Sequence, residues 1–266
     1  MAWEQSSSTE SQPLLQVEGL SKNFGGLRAV DQASFRLGPG ELKGLIGPNG
    51  AGKSTIFNLI SGLHPPTEGR ILFQGQNLAG QRPDRIVRAG IARTFQTVKL
   101  LESRTVLENM LTAFFMSAGY NLLDSILHTR RYHRREKEMK EKAMEYLGFF
   151  GVQQYRGLPG GELAYGLQRK VSLAMALCLS PRVLLLDEPM AGLTHSEKDD
   201  LMEAILRVKK TFGLSLILVE HDMKVIMRLC ESIMVMNQGR LIAEGDAAAI
   251  RRNPEVVEAY LGASRT

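Results

Sequence analysis

The sequence predicts an α/β fold with a mixed sheet, flanking helices, an antiparallel β element near the N-terminus and an inserted helical segment. Short alternating runs broken by Gly and Pro, as in LLQVEGLSKNF and VDQASFRLG, are typical of antiparallel strands. Two continuous apolar runs, in PRVLLLDEP and LSLILVEHD, indicate parallel strands that are buried on both faces. From residue 105 to residue 150 the pattern is helical, with Glu and Lys/Arg interleaved at three- and four-residue spacings.

The remaining elements follow in chain order. ELKGLIG predicts a strand that enters a glycine-rich turn and then a helix, whose apolar positions are Ile56, Leu59, Ile60 and Leu63. RILFQGQNL is predicted as one strand, and PDRIVRAG as a short helix that Pro83 opens and Gly90 closes. HSEKDDLMEAILRVKKTFG predicts a helix between the two apolar strands. ESIMVMNQGRLIAEGD predicts two strands around a turn, and NPEVVEAYLG predicts a final helix.

The composition is that of an ordinary globular protein. The chain has 266 residues, of which 44% are apolar and 23% charged, and no run approaches the ~18 apolar residues of a membrane span. Because the first residues lack a signal-peptide pattern, we expect a cytoplasmic protein whose residues 1–12 form a disordered tail. Cys178 and Cys230 show no pairing motif, so we expect neither a disulfide nor a zinc framework. The net charge of +5 fits a nucleic-acid partner, an anionic membrane face or solubility alone.

A glycine-rich segment between the predicted strand and helix matches the pattern G-x-x-x-x-G-K-[ST]. It consists of Gly47, Pro48, Asn49, Gly50, Ala51, Gly52, Lys53 and Ser54, and Thr55 follows it. The backbone N–H groups of such a loop converge on phosphate oxygens, and the helix N-terminus adds its positive end. We therefore predict a phosphate site in which Lys53 contacts the β and γ oxygens, Ser54 holds Mg²⁺ and Thr55 contacts a phosphate.

Two adjacent carboxylates end the first continuous apolar strand. Asp187 is predicted to meet Mg²⁺ through water, because this ion prefers one or two carboxylates and keeps several waters. Glu188 is predicted to face the γ-phosphate and to polarise the attacking water as a base. Adjacent carboxylates also occur in solvated loops, and it is the Lys53 loop that favours the catalytic interpretation.

The segment Leu163-Ala164-Tyr165-Gly166-Leu167-Gln168-Arg169 resembles the signature LSGGQ of ATP-binding cassette (ABC) transporters. The resemblance implies a nucleotide-binding subunit: one ABC ATPase domain over residues 13–266, with a P-loop NTPase (RecA-like) core at 13–96 and 181–266. A helical subdomain is expected at 97–180. The resemblance also implies that Leu163, Ala164, Tyr165 and Gly166 contact the γ-phosphate of ATP across a dimer interface. Ala164 replaces the family's usual Ser, and Leu167 its usual Gln.

Further positions match functional residues of this family. The resemblance implies that Gln96, in RTFQ, senses Mg²⁺ or water and moves with the membrane partner, and that His221, in VEHD, hydrogen-bonds the γ-phosphate. Phe24, in SKNFGG, matches the aromatic residue that stacks on adenine, and core packing is the alternative interpretation. Thr194 stands where many relatives carry Asp, so communication between the two sites is expected to differ from the family average.

Phrases along nearly the whole chain resemble the branched-chain amino acid importer subfamily, among them GPNGAGKSTIFNLISG, LAYGLQRK, DEPMAGL and VEHDM. This resemblance implies an ATPase at the cytoplasmic face of the inner membrane that drives import through separate transmembrane permease subunits. A second ABC ATPase subunit, identical or related, completes the dimer, and a substrate-binding protein is an indirect partner. Urea, amide and lipopolysaccharide-export ATPases are close relatives. A soluble cassette ATPase acting on DNA or ribosomes is the alternative function.

A basic run at residues 130–135 suggests a nucleic-acid or phospholipid patch. Glu136, Glu138 and Glu141 dilute this charge at once, which favours a solvated helical face. We therefore expect no nucleic-acid partner.

Overall fold

A computed structural model describes residues 12–94, 100–118 and 130–262. The tail expected at residues 1–12 lies outside these ranges except for Gln12, which is exposed. Gln96 also lies outside the described residues, so its expected role stays a prediction.

The N-terminal antiparallel sheet has four strands in the order β2-β1-β4-β5. Their bounds are Leu15–Phe24 (β1), Leu27–Leu37 (β2), Glu68–Phe73 (β4) and Gln76–Asn77 (β5). The single strand predicted in RILFQGQNL is wrong, because β4 and β5 form a hairpin. Gln74 and Gly75 at its turn have φ values of 50° and 79°, the left-handed pair that a two-residue hairpin loop requires.

The core sheet has six strands in the order β10-β9-β3-β8-β7-β6, and all are parallel to their neighbours except β10. Their bounds are Leu42–Ile46 (β3), Ile91–Arg93 (β6), Val183–Asp187 (β7), Ser215–Val219 (β8), Ser232–Asn237 (β9) and Arg240–Gly245 (β10). The predicted strands of this sheet are confirmed. Since β3, β7 and β8 are neighbours and parallel, the chain segments that follow them meet at one edge.

Alternate residues of the core strands enter two separate hydrophobic clusters. Leu184 and Leu186 of β7 face one cluster, and Val183 and Leu185 face the other. The first cluster also contains the helices between β6 and β8, and the second contains the antiparallel sheet and the first helix. The core sheet is therefore buried on both faces, as its continuous apolar strands predict.

Nine α-helices occur in the described part of the chain. Their bounds are Lys53–Ile60 (α1), Pro83–Ala89 (α2), Val106–Ala118 (α3), Arg130–Phe149 (α4), Tyr165–Leu177 (α5), His195–Phe212 (α6), Met223–Leu229 (α7), Ala247–Arg252 (α8) and Pro254–Gly262 (α9). The predicted helices are confirmed within the described residues, although α1 ends at Ile60 and does not reach Leu63. Residues 119–129 of the predicted helical segment lie outside the described residues. Helices α7 and α8 are additions, and α8 begins where the Asp246 carboxylate accepts the Ala249 N–H at 2.8 Å. None of the described helices is long and apolar enough to cross a membrane.

Helices α3, α4 and α5 lie between β6 and β7 in the chain, and we propose that they form the helical subdomain expected at 97–180. Phe114 of α3 stacks on Tyr146 of α4 with ring centroids 6.0 Å apart. Tyr146 meets Phe212 of α6 edge-on at 5.6 Å, which joins these helices to the core.

Ion pairs along α4 involve the basic run at its start and the residues that follow it. Arg134 lies 3.8 Å from Glu138, and Lys140 lies 2.8 Å from Glu136. Such i,i+4 pairs belong to a solvated helix. The contacts agree with the expected solvated face.

Candidate functional site

The glycine-rich loop between β3 and α1 depends on its glycines. Gly47, Gly50 and Gly52 have φ values of 149°, 79° and 104°. A Cβ added at Gly47 would lie 2.1 Å from the Met236 carbonyl oxygen, and one at Gly52 would lie 2.6 Å from that of Ala29. The loop is therefore held against β9 and β2 at a distance that side chains do not allow.

Lys53 is the first residue of α1 and is buried. Its ammonium donates hydrogen bonds to the carbonyl oxygens of Gly47 at 2.6 Å and Pro48 at 3.0 Å. Burial lowers the pKa of Lys53, and the carboxylates of Glu188 and Asp187 oppose that shift. The structure thus brings the predicted lysine and both predicted carboxylates within electrostatic reach of one another.

A cavity of about 570 Å³ opens above the loop. The predicted residues that line it are Phe24, Asn49, Gly50, Ala51, Gly52, Lys53, Ser54, Thr55, Glu188 and His221. Five further lining residues, Leu27, Arg28, Ala29, Gln238 and Gly239, carry no motif by which sequence reasoning would find them. They reach the cavity because the β9–β10 turn pairs with β2, where the Asp31 N–H donates to the Gly239 carbonyl at 2.8 Å.

Phe24 is a lining residue and not a core residue. Its side chain is 43% exposed, and its ring meets His64 edge-on at 5.4 Å. Lys22 lies 5.1 Å from the ring centroid. The alternative interpretation of Phe24 as core packing is therefore wrong.

Asp187 ends β7 and is paired with an arginine that the sequence analysis did not select. A guanidinium nitrogen of Arg93, on the neighbouring strand β6, lies 2.7 Å from the Asp187 carboxylate. Arg93 also donates to the Asn58 side-chain oxygen at 2.6 Å, which links β7 to α1. This contact depends on strand order, because Arg93 and Asp187 are far apart in the chain.

Glu188 and His221 form a close pair at the edge of the cavity. His221 Nε2 lies 2.6 Å from Glu188 Oε1, and the Glu188 N–H donates to the Val219 carbonyl at 2.9 Å. Glu188 has φ 46°, a left-handed conformation that costs a non-glycine residue about 1–3 kcal/mol and is often found at functional sites. The end of β8 thereby orients the carboxylate toward the histidine.

The signature segment lies apart from the cavity of its own chain. Leu163 is buried, and Ala164 and Tyr165 are exposed at the N-terminus of α5. Gly166 packs closely, since a Cβ added there would lie 2.4 Å from Glu197 Oε1. None of these four described residues is among those that line the cavity. Leu167 packs against a hydrophobic cluster, which explains an apolar residue in place of Gln.

Thr194 caps α6. Its hydroxyl accepts the Glu197 N–H at 3.4 Å, and the Glu197 carboxylate accepts the Thr194 N–H at 2.9 Å. This reciprocal capping box orders the segment that follows Glu188.

A family model described as ABC transporter matches residues 30–191, more than half of the chain. The chain belongs to the ABC transporter family. A second family model, described as branched-chain amino acid ATP-binding cassette transporter, matches residues 240–265. The two family models thus match residues 30–191 and 240–265 of the ABC protein.

One relative and two solved structures are similar to this chain. The high-affinity branched-chain amino acid transport ATP-binding protein LivG of Escherichia coli K12 is 41% identical, over 95% of this chain and 99% of LivG. The ADP conformation of MJ1267, an ATP-binding cassette of an ABC transporter, is 32% identical with a TM-score of 0.83, covering 95% and 100% of the two chains. The dimeric structure of MJ0796, at 24% identity and a TM-score of 0.73 over 87% and 98%, supports the fold alone.

These findings confirm the predicted family, the mixed α/β cassette fold and the ATPase class. As an ABC transporter subunit, the chain is an ATP-binding ATPase.

Proposed function

We propose that this chain hydrolyses ATP between its own cavity and the signature segment of a second cassette, and that this reaction drives import of branched-chain amino acids. The observation that carries the proposal is the Glu188–His221 pair, which lines the same cavity as the Lys53 loop. The similarity to LivG and the match over residues 240–265 support the cargo.

The residues that line the cavity suit a nucleotide. Phe24 offers an exposed ring for stacking on adenine. Backbone N–H groups of residues 49–55 and the N-terminus of α1 would bind the phosphates, with Lys53 as the cation and Thr55 as a further contact. Arg28 and Gln238 also line the cavity.

The residues around the loop fit Mg²⁺. The exposed hydroxyl of Ser54 and the carboxylate of Asp187 are oxygen donors of the kind this ion prefers, and one carboxylate leaves room for retained waters. The Asp187 carboxylate opposes the lowering of the Lys53 pKa, and its nearness to that lysine supports the assignment. We propose Ser54 and Asp187 as ligands, Asp187 through water, and Gln96 as a third contact. When bound, Mg²⁺ neutralises charge on the β and γ oxygens.

Glu188 is proposed as the general base. Its carboxylate takes a proton from the attacking water, the water oxygen bonds to the γ-phosphorus, and the bond to the ADP oxygen breaks. His221, 2.6 Å from that carboxylate, orients it and donates a hydrogen bond to a γ-phosphate oxygen. The products are ADP and inorganic phosphate.

The second half of the site is proposed to come from a partner cassette. Ala164 occupies the N-cap of α5 without a side-chain hydrogen bond, so the first N–H groups of this helix are free of side-chain capping from that position. Neither Ala164 nor the exposed Tyr165 lines the cavity of its own chain. ATP would therefore join two cassettes head to tail. The structure of MJ0796, which has this fold, is dimeric and supports such a pairing.

An apolar cavity beside Arg93 is the proposed contact with the membrane subunit. It has a volume of about 510 Å³, and Leu63, Val87, Ile91 and Leu179 contribute its apolar walls. Arg93 lines it and lies three residues before Gln96, so a partner docked here acts next to the Asp187 ion pair. We propose that a permease subunit docks here and holds the chain at the cytoplasmic membrane face.

The cargo is tested by uptake into sealed vesicles that contain the complete transporter with its permease subunits and binding protein. We expect labelled leucine, isoleucine and valine to accumulate only when ATP is supplied on the cassette side. Uptake of urea or an amide in place of leucine would refute the cargo. Recovery of the tagged chain with ribosomes or DNA, and not with the membrane fraction, would refute the transport role.

A further inference from the structure

Glu220 is a buried carboxylate that the proposed mechanism does not use. It directly follows β8, and its side chain is 5% exposed. One carboxylate oxygen accepts the Met190 N–H at 2.7 Å, and the other accepts the His221 N–H at 3.3 Å. It is not among the residues that line the nucleotide cavity.

The two N–H groups belong to the two segments that carry the catalytic pair. Met190 lies two residues after Glu188, and His221 is the partner of Glu188 at 2.6 Å. A single carboxylate therefore fixes the backbone on both sides of that short contact. Movement of either segment would break a buried hydrogen bond.

We propose that Glu220 is a positioning residue that holds Glu188 and His221 at their working separation. The inference rests on the proposed function. Glu220 is therefore expected to affect the rate of ATP hydrolysis and not the affinity for ATP, because it does not line the cavity that contains Lys53 and the glycine-rich loop.

The chemistry of the contact requires a carboxylate. The two N–H donors contact different oxygens of Glu220, and a carboxylate presents both oxygens as acceptors. Burial raises the pKa of Glu220, and the hydrogen bonds from Met190 and His221 oppose that shift. A Gln side chain has the same shape but only one acceptor oxygen. Its NH₂ group would face the second backbone N–H, so two donors would oppose each other.

The test is Glu220→Gln in the full chain, with Glu41→Gln as the matched control. Glu41 also accepts a backbone N–H, from Gly38 at 2.7 Å, but it lies at the opposite edge of the core sheet. We expect Glu220→Gln to lower kcat for ATP hydrolysis about tenfold or more, with KM for ATP within about twofold. Glu41→Gln should keep kcat within about twofold of the parent value, even if it lowers the melting temperature.

Two outcomes distinguish a failure of the positioning role of Glu220 from a failure of the proposed function on which it rests. If Glu220→Gln keeps the parent kcat while Glu188→Gln is inactive, the positioning role is wrong and the proposed function stands. If Glu188→Gln also keeps the parent kcat, the proposed function itself is wrong.

Amide hydrogen exchange gives a second measurement that does not depend on the variant folding. In the unsubstituted chain we expect the Met190 and His221 amides to exchange at least about tenfold more slowly than exposed loop amides. If both exchange as fast as exposed loop amides, the carboxylate does not hold the two segments, and the inference is overturned.

Discussion

Replacing Glu188 with Gln is expected to stop ATP hydrolysis while ATP binding continues. The amide keeps the shape of the side chain and can still hydrogen-bond His221, but it cannot take a proton from water. Loss of a general base lowers a rate by about 10²–10⁴-fold. Phosphate release should fall by this factor, and size-exclusion chromatography in ATP should reveal an accumulated ATP-bound dimer.

The control for this prediction is Glu203→Gln, which removes an exposed carboxylate of α6 that pairs with Arg207 on its own helix at 3.8 Å. Its rate should match that of the parent. Turnover by Glu188→Gln at near the parent rate would show that another group accepts the proton.

Replacing Lys53 with Ala is expected to weaken ATP binding at least about tenfold. The ammonium is the cation at the phosphate end of the cavity, and charge-assisted hydrogen bonds contribute about 1.5–3 kcal/mol each. The carboxylates of Asp187 and Glu188 repel the phosphates, and without the Lys53 ammonium α1 no longer supplies a cation that offsets this repulsion. Titration calorimetry should record at least about a tenfold weaker Kd for ATP.

Lys137→Ala is the matched control, because Lys137 is an exposed cation on α4 that pairs along its own helix with Glu141 at 3.9 Å. It should bind ATP like the parent. An unchanged affinity in Lys53→Ala would refute the assignment of the glycine-rich loop as the phosphate site.

The parts of the fold that the sequence predicts are those governed by local patterns. Continuous apolar runs predict β7 and β8 since both faces of these strands are buried. The spacing of Lys53 from Gly47 predicts the phosphate loop because that geometry is local. The hairpin of β4 and β5 was missed because its turn, at Gln74 and Gly75, has one glycine inside an otherwise strand-like run.

The contacts that sequence reasoning missed are long-range. Arg93 meets Asp187 only because β6 and β7 are neighbours in the sheet, and Glu220 meets Met190 only because β7 and β8 are. No spacing rule predicts such pairs. The left-handed backbone of Glu188 likewise follows from the surrounding structure and not from its residue type.

The structure also decides which signature residue to substitute. A side chain at Gly166 would meet Glu197 of its own chain, so a substitution there would disturb its own chain and the dimer together. Ala164 is exposed at the N-cap of α5. Asp at this position is a preferred N-cap, and it adds a negative charge where the partner's γ-phosphate is proposed to dock. Ala164→Asp should therefore fold and bind ATP but not hydrolyse it.

The most direct test of the shared site is ATP hydrolysis by a mixture of Lys53→Ala and Ala164→Asp chains. A mixed dimer pairs the intact Lys53 loop of one chain with the intact signature segment of the other, and its second site is damaged twice. We predict that each variant alone is inactive and that the mixture regains measurable hydrolysis. A mixture as inactive as the separate variants, under conditions where mixed dimers form, would contradict a site built from two cassettes.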